Sequence, residues 1–339
     1  MMKIVVDAMG GDSAPQSIVQ GSIEAVKTYQ DIEIILTGKS EQLDQLMPDS
    51  KKLKNRFEIV DCQQEITMDE KPAKALRSKK DTSIGKAAEL VKSGKAEALF
   101  SAGNTGASLA AGILKIGRIS GIKRPAIASL FPSRNKPVLL LDMGANANCE
   151  PRYLLQFAIM AQIYADSILQ RPNPSIGLMN VGEEKGKGNK MIDKAHELIE
   201  SDNRIKNFAG NIEGRDIFTG EYDIILCDGF VGNVILKTVE GMGDFLFELL
   251  REALQNDFRS KLGALLAKNS LKNMKKKVDY RQYGGAPMLG VKGNVIIGHG
   301  SSDATAVKNA IKVAKETVEQ EIVTIIADEI SKDGGDLNA

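Results

Sequence analysis

Ile176-Gly-Leu-Met-Asn-Val181 followed by Gly182-Glu-Glu-Lys-Gly-Lys-Gly-Asn189 is the stretch from which the rest of the chain is read. The first part is an apolar run of strand length. The second is rich in glycine and lysine. Beyond it Met191, Ile192, Ala195, Leu198 and Ile199 recur at helical spacing, so a helix follows. Strand, glycine-lysine loop and helix form a layout suited to phosphate. Glycines let backbone N–H groups approach an anion, and a helix N-terminus adds partial positive charge. Lys185 and Lys187 offer full charges. No Gly-Lys-Ser/Thr closes the loop as in a Walker A motif, and no Gly-x-Gly-x-x-Gly is present there. Taken alone, the stretch fits a solvated lysine loop as well as an anion site.

Outward from it, short apolar runs alternate with amphipathic helices, the pattern of a mostly parallel α/β sheet. Strands are expected at 3–6, 33–36, 57–60, 98–101, 126–130, 138–141, 176–181, 224–227 and 295–297. Helices are expected at 15–28, 83–92, 107–116, 151–169, 190–200, 234–254, 261–274 and 302–327. Strand after strand ends in glycine and small polar residues: Asp7-Ala-Met-Gly-Gly-Asp12, Ser101-Ala-Gly-Asn-Thr-Gly106, Asp142-Met-Gly-Ala-Asn146, Cys227-Asp-Gly-Phe-Val-Gly-Asn233 and Gly298-His-Gly-Ser-Ser-Asp303. Open α/β sheets bind ligands beyond the carboxyl ends of their strands. These loops, with 182–189, are therefore expected to converge on one sheet edge and line a polar cleft. Singly, each is also an ordinary turn.

The bulk properties exclude several classes. The 339 residues carry a formal net charge of +1, so no global field points to nucleic acid or membrane. Trp is absent and aromatics make up 5%, which argues against a stacking platform for bases. Cys62, Cys149 and Cys227 form no Cys-x-x-Cys pair, so neither a disulfide framework nor a zinc site is expected, in keeping with a reducing cytoplasm. Met1-Met2-Lys3 runs directly into a strand, with no signal peptide and no apolar run of membrane-spanning length.

Residues 1–330 are read as one catalytic α/β unit with a cleft, 234–275 as a protruding helical hairpin, and 331–339 as a flexible tail. The hairpin carries one apolar stripe from Val239 to Leu254 and another from Leu262 to Met274. Such hairpins pack on the body or on a second subunit. Its tip, with Phe258, Leu262, Leu265 and Leu266, also suits a membrane interface. Lys268, Lys272, Lys275, Lys276, Lys277 and Arg281 form one local basic run, and Lys71, Lys74, Arg77, Lys79 and Lys80 another. Each is either a solvated face or a dock for an acidic partner.

The usual nucleophiles are missing. There is no Gly-x-Ser-x-Gly elbow. His196 is expected to be exposed or partly packed, and His299 is better placed, at a strand end. Asp7, Asp12, Asp142 and Asp228 sit on separate loops without the spacing of a metal site, so no metal is expected. What remains suits positioning and charge stabilisation. Inorganic phosphate attacking a thioester is such a reaction: the attacking oxygen is already anionic, the carbonyl oxyanion needs donors, and a thiolate with a pKa of about 8.5 leaves without much acid assistance.

The motifs Asp7-Ala-Met-Gly-Gly-Asp12, Ser101-Ala-Gly-Asn-Thr-Gly-Ala107, Leu141-Asp-Met-Gly-Ala-Asn146, Asn180-Val-Gly182, Lys187-Gly-Asn189, Asp228-Gly-Phe-Val-Gly-Asn233 with Lys237, Tyr283-Gly-Gly-Ala286 and His299-Gly-Ser-Ser-Asp303 together resemble the PlsX family, the bacterial acyl-carrier-protein:phosphate acyltransferases of phospholipid synthesis. The resemblance covers nearly the whole chain. It implies a three-layer α/β/α fold like phosphotransacetylase and isocitrate dehydrogenase, a homodimer, and no cofactor. It implies acyl carrier protein and inorganic phosphate as substrates. It also implies a cytoplasmic protein at the membrane surface, whose acyl phosphate passes to a membrane acyltransferase.

Lys187 and Asn233 are then expected at the chemistry. Asn104, Thr105, Gly106, Asn146, Asn180, Gly182, Lys237, His299, Ser301 and Ser302 are expected at the phosphate or the substrate. Lys268, Lys272, Lys275 and Lys276 are expected to dock the carrier. Ser13 stands where the family commonly has His, and Asn148 where it commonly has Asp, so neither role is carried over. The rival readings are an acyl-CoA-dependent phosphotransacetylase-like enzyme, a metal- and NAD-dependent decarboxylating dehydrogenase, and a non-catalytic phosphometabolite-binding protein.

Overall fold

The computed structural model describes residues 1–67, 69–278 and 283–332. Its strands are β1 (Met2–Asp7), β2 (Ile32–Gly38), β3 (Phe57–Asp61), β4 (Ala98–Ser101), β5 (Ala126–Phe131), β6 (Val138–Leu141), β7 (Ile176–Met179), β8 (Phe208–Ile212), β9 (Ile224–Leu226), β10 (Ala286–Leu289) and β11 (Asn294–Ile297). They form one 11-stranded sheet in the order β3-β2-β1-β4-β11-β10-β5-β6-β9-β7-β8. The helices are α1 (Gln16–Thr28), α2 (Ser40–Asp44), α3 (Lys51–Lys54), α4 (Pro72–Ser78), α5 (Ser83–Lys92), α6 (Thr105–Ala111), α7 (Pro151–Ser167), α8 (Lys190–Ser201), α9 (Gly229–Gln255), α10 (Phe258–Val278), α11 (Ala304–Glu319) and α12 (Ile322–Ser331).

Strand side chains alternate between faces, and here both faces are buried, which is why the strands read as unbroken apolar runs. Val5, Leu99, Val295, Leu140 and Ile225 share a single apolar cluster on one face, with α5, α6 and the root of α9 over it. On the other face Ile4, Val6, Phe100 and Ile296 pack under α1 and α11. Leu139, Leu141, Leu178 and Leu226 pack under α7, α8 and α12 in a separate cluster. This is a three-layer α/β/α architecture. One face is continuous across the sheet and the other is divided.

The direction of the strands overturns the expected convergence on one edge. β1, β2, β3, β4 and β11 are mutually parallel, as are β6, β7, β8 and β9. Between the two sets, β10 is antiparallel to both β11 and β5, and β5 is antiparallel to β6. The two parallel halves therefore point in opposite directions. Their carboxyl-end loops leave opposite edges, in two groups.

The structure adds β8 and β10 to the expected strands. β8 is an edge strand with only Asn211 and Ile212 buried, so it lacks an apolar run. β10 contains Pro287, which argues against an interior strand. It is accommodated because β5 pairs only with Met288 and Leu289. β7 ends at Met179, and Val181 beyond it is 78% exposed. The expected helix at 302–327 is two helices, divided where Glu321 takes a left-handed φ of 49°. Helix α9 begins five residues before the expected 234, so Asn233 lies inside the helix rather than at its start. Of the expected tail, Ser331 ends α12, and 333–339 lie outside the described residues.

The early start of α9 has a packing cause. A Cβ at Gly232 would sit 1.9 Å from the Asp142 carbonyl oxygen, and one at Gly229 2.7 Å from the Asn146 carbonyl oxygen. These helix glycines let α9 lie directly on the loop after β6. Replacing Gly232 by Ala is expected to destabilise the fold by about 1–3 kcal/mol, the usual range for overpacking. Exposed Gly241 of the same helix has nothing within 4 Å of its added Cβ. Its change to Ala is expected to stabilise by about 0.5–1 kcal/mol. Denaturant melts of the two variants check the contrast.

Candidate active site

The first group of loops is fastened around Asp7. Its carboxylate accepts from Ser101 Oγ at 2.7 Å, and burial pushes its pKa up against the lowering effect of the Ser83 and Ser101 hydroxyls. Asp12 N donates to Gly300 O at 2.8 Å and Gly298 N to Ser101 O at 2.7 Å, so the loops after β1, β4 and β11 are tied together. Asn104 caps α6, its Oδ1 accepting from Ala107 N at 3.1 Å, while its Nδ2 donates to Thr67 O at 3.4 Å. Thr105 is exposed in the first turn, and Gly106 packs against Pro72. In the loop after β11, Ser301 N donates to His299 Nδ1 at 3.2 Å and Ser302 Oγ to His299 O at 2.6 Å. Asp303 caps α11 through Ala306 N.

The second group is built on Asp142. This buried carboxylate accepts from the backbone N–H groups of Ile127 (3.0 Å), Ala145 (3.1 Å) and Asn146 (2.7 Å), and from Asn146 Nδ2 (2.8 Å). Burial raises its pKa while those donors lower it. Asn146 Nδ2 also donates to Pro125 O at 2.8 Å, so both its amide hydrogens are committed to the loop. Asp228 caps α9, accepting from Val231 N at 2.8 Å. Asn233, one turn further on, is exposed beside Gly144: a Cβ on Gly144 would lie 3.5 Å from that of Asn233.

The loop from 182 to 189 leaves the same edge of the sheet. Asn180 is its staple, with Nδ2 donating to Lys187 O at 2.8 Å and Oδ1 accepting from Val181 N at 2.9 Å. Gly182 is buried under the Lys187 side chain. Asn189 caps α8 by accepting from Met191 N and Ile192 N. The two lysines are not equivalent. Lys185 Nζ is paired with Glu200 at 2.7 Å, whereas Lys187 is exposed and has no ion-pair partner among the described residues. His196 is buried rather than exposed. Its Nδ1 lies 3.0 Å from Asn211 Oδ1 and its ring is edge-on to Phe208, because β8 covers that face of α8.

One helix joins the groups. Glu240 on α9 lies 2.8 Å from Lys237 Nζ and 3.7 Å from His299 Nε2. Asn233, at one group, and Glu240, touching the other, are about 10 Å apart along the axis at 1.5 Å per residue. Glu240 was missed from the sequence. Its spacing from Lys237 marks a helix ion pair, but nothing local points to His299. Of the docking set, Lys268 and Lys272 are exposed on α10. The Lys275 and Lys276 side chains lie outside the described residues.

The arrangement offers capped helix N-termini, a carboxamide, an imidazole and the ammonium group of Lys187, which has no ion-pair partner among the described residues. It does not offer an activated protein nucleophile. Burial pushes the thiols of Cys62 and Cys149 up to about 12 and that of Cys227 well above its ordinary value, so they stay protonated. Among the described residues no group of His, Cys, Asp and Glu has the makings of a metal site.

The profile of a family described as "Fatty acid synthesis protein" matches residues 2–325. A phosphate acyltransferase from Halothermothrix orenii is 51% identical over 333 residues, spanning 98% of this chain and 100% of that one. The chain belongs to the phosphate acyltransferase family. A second such relative, from Dictyoglomus turgidum, is 46% identical over 99% of this chain and 100% of its own. Among solved structures, a phosphotransacetylase from Streptococcus pyogenes superposes with a TM-score of 0.61 at 16% identity, covering 95% of this chain and 94% of that one. A branched-chain phosphotransacylase from Enterococcus faecalis gives 0.56 at 16% identity, covering 94% and 100%. These two share the fold. Membership of the phosphate acyltransferase family makes the protein an acyltransferase enzyme.

The Glu240 bridge sets how firmly the loop after β11 is held to α9. Removing it by Glu240→Ala is expected to speed hydrogen exchange at the Ser301 and Ser302 amides by about fivefold or less, the scale of a part-exposed ion pair. Exchange at Ala145 and Asn146, held by Asp142, is expected to stay unchanged.

Proposed function

We propose that the protein transfers a long-chain acyl group from acyl carrier protein to inorganic phosphate, giving an acyl phosphate for phospholipid synthesis. Membership of the phosphate acyltransferase family supports phosphate as the acceptor. The single structural observation that carries the reading is Lys187, without an ion-pair partner among the described residues and held on a loop stapled by Asn180, in a site with no activated nucleophile of its own. A dianionic phosphate supplies the nucleophile that the side chains lack.

In this mechanism a phosphate oxygen attacks the thioester carbonyl carbon. The carbonyl electrons move onto oxygen, and the Asn233 amide donates a hydrogen bond to that oxyanion. The oxyanion then collapses, the C–S bond breaks, and the carrier's thiolate leaves with the bonding pair. Lys187 holds the phosphate in line. Thr105, Gly106 and the capped start of α6 at Asn104, together with Lys237, His299, Ser301 and Ser302, contact phosphate or the donor arm. Asn146, Asn180 and Gly182 shape the loops that carry Asn233 and Lys187. No metal or other cofactor enters any step.

The carrier is acidic and the enzyme nearly neutral overall, so attraction has to be local. Exposed Lys268 and Lys272, with Lys275 and Lys276 beside them in sequence, would steer it. The α9–α10 hairpin serves two contacts in this proposal. Phe245, Leu246 and Leu249 on α9, all exposed, pack against a second copy in a homodimer. Phe258, Leu262, Leu265 and Leu266 at the tip, with Leu266 82% exposed, rest in the membrane interface. No described helix is long and apolar enough to cross a membrane, and the proposed contact is a peripheral one. The acyl phosphate would be released beside the membrane acyltransferase that consumes it.

Labelled phosphate with palmitoyl carrier protein is expected to yield labelled palmitoyl phosphate. Absence of label while thioester is consumed would overturn the proposal, and equal use of palmitoyl-CoA would move the donor to coenzyme A. Lys187→Ala is expected to lower turnover by about 100- to 1000-fold. Lys185→Ala, whose charge is already neutralised by Glu200, is expected to change it by less than about tenfold. In liposome flotation, Leu265→Glu is expected to leave most of the protein at the bottom of the gradient; undiminished flotation removes the tip from the proposal.

A further inference from the structure

Helix α4 presents a basic stripe that the site does not use. Lys71 at its N-cap, Lys74 and Arg77 recur every third residue, while Ala75 and Leu76 are buried on the other side. Lys80 follows the helix. All four cations are exposed, and none has an ion-pair partner among the described residues. Their neighbour Lys79 differs: its ammonium lies 2.7 Å from Glu70 Oε2 and donates to Glu65 O at 2.9 Å. The surrounding carboxylates are largely engaged elsewhere. Glu65 lies 3.6 Å from Lys39, and Asp81 accepts from Gln63 N at 2.9 Å. Asp69 remains exposed ahead of the helix.

The stripe stands against the candidate site. Pro72, at the start of α4, fills the space where a Cβ on Gly106 would lie 2.7 Å from its Cγ, and Thr67 O accepts from Asn104 Nδ2. Leu76 belongs to the apolar cluster on which Val231, Ile235 and Leu236 of α9 also pack. α4 and the root of α9 therefore cover the same face of the sheet, with the Asn104–Gly106 loop directly on α4. A donor whose thioester hangs from a flexible arm has to dock within reach of that loop.

We propose that the exposed face of α4, formed by Lys71, Lys74, Arg77 and Lys80, is the surface on which the acidic carrier protein docks. This rests on the functional reading above and adds the place of contact. The partner it fits presents carboxylates along a helix, which Arg77 meets in bidentate fashion and the lysines meet as point charges. The α10 lysines contribute to the approach, whereas α4 holds the bound carrier at the mouth of the site.

The test compares two donors at low ionic strength: palmitoyl carrier protein and palmitoyl-pantetheine, a neutral donor that lacks the protein. For Lys74→Glu/Arg77→Glu, the KM for the carrier is expected to rise about tenfold or more, equivalent to one close charge pair. KM for the neutral donor is expected to stay within about twofold, and the carrier effect is expected to shrink as added salt shortens the screening length. An unchanged carrier KM would overturn the proposal. So would equal losses with both donors, or a KM effect confined to Lys268→Glu/Lys272→Glu. Failure of the unsubstituted protein to form acyl phosphate from either donor is a separate outcome: it removes the functional reading itself, and the docking surface with it.

Discussion

The seating of α9 on the loop after β6 is the contact on which the rest of the site depends. Asp142, buried at the end of its strand, gathers three backbone N–H groups and the Asn146 amide onto one carboxylate. An uncompensated buried carboxylate would be costly; one with this many donors fixes the loop instead. That loop presents its carbonyl oxygens to α9 at a separation only glycine permits, at 229 and 232. The helix axis is thereby set at its first turn. Every residue further along α9, from Asn233 to the hairpin, inherits its position from that contact.

That contact lets two oppositely directed half-sheets contribute to one candidate site. The antiparallel insertion of β10 and β5 sends the loop groups to opposite edges. On the continuous face of the sheet, α9 then runs from one group to the other, over a core that includes Leu140 from one half and Val5 from the other. Glu240 makes the far attachment by meeting His299. Ser301 N–H donates to His299 Nδ1, which leaves Nε2 facing Glu240. A helix that meets both loop groups keeps the distance between them fixed.

Much of this was legible in the sequence, for physical reasons. Strands such as β4 and β6 are buried on both faces and leave continuous apolar runs. Glycine-rich loops beyond them mark where backbone must approach backbone, as Gly10 and Gly103 do. The failures share a cause: each depended on a partner distant in sequence. β8 is an edge strand with little to bury, and without it His196 had no reason to be inside. β10 carries Pro287, and with it goes the reversal that moves half the loops to the other edge. Gly229 and Gly232 looked like turn residues, because the close carbonyls that demand them belong to Asp142 and Asn146. Lys185 and Lys187 looked equivalent until Glu200, on the following helix, neutralised one of them. Glu240 was visible as half of a helix ion pair and invisible as the partner of His299.

The distribution of charge and apolar surface along the hairpin then takes on a single sense. Its root carries the polar residues Asn233, Lys237 and Glu240, spaced to share one side of the helix, with Asn233 beside Gly144 and Glu240 beside His299. About one and a half to two and a half turns beyond Glu240, Phe245, Leu246 and Leu249 are exposed, and beyond the turn Phe258, Leu262, Leu265 and Leu266 follow. A monomer that left this much contiguous apolar surface in water would be unusual. On the proposed reading the hairpin is covered along its length by a second copy and at its end by lipid. On the same reading the product is a phosphate with a long apolar tail. A helix whose polar root holds the phosphate end and whose apolar end meets the bilayer places both parts of that molecule in the solvent each prefers, which a site built on a short surface loop could not do.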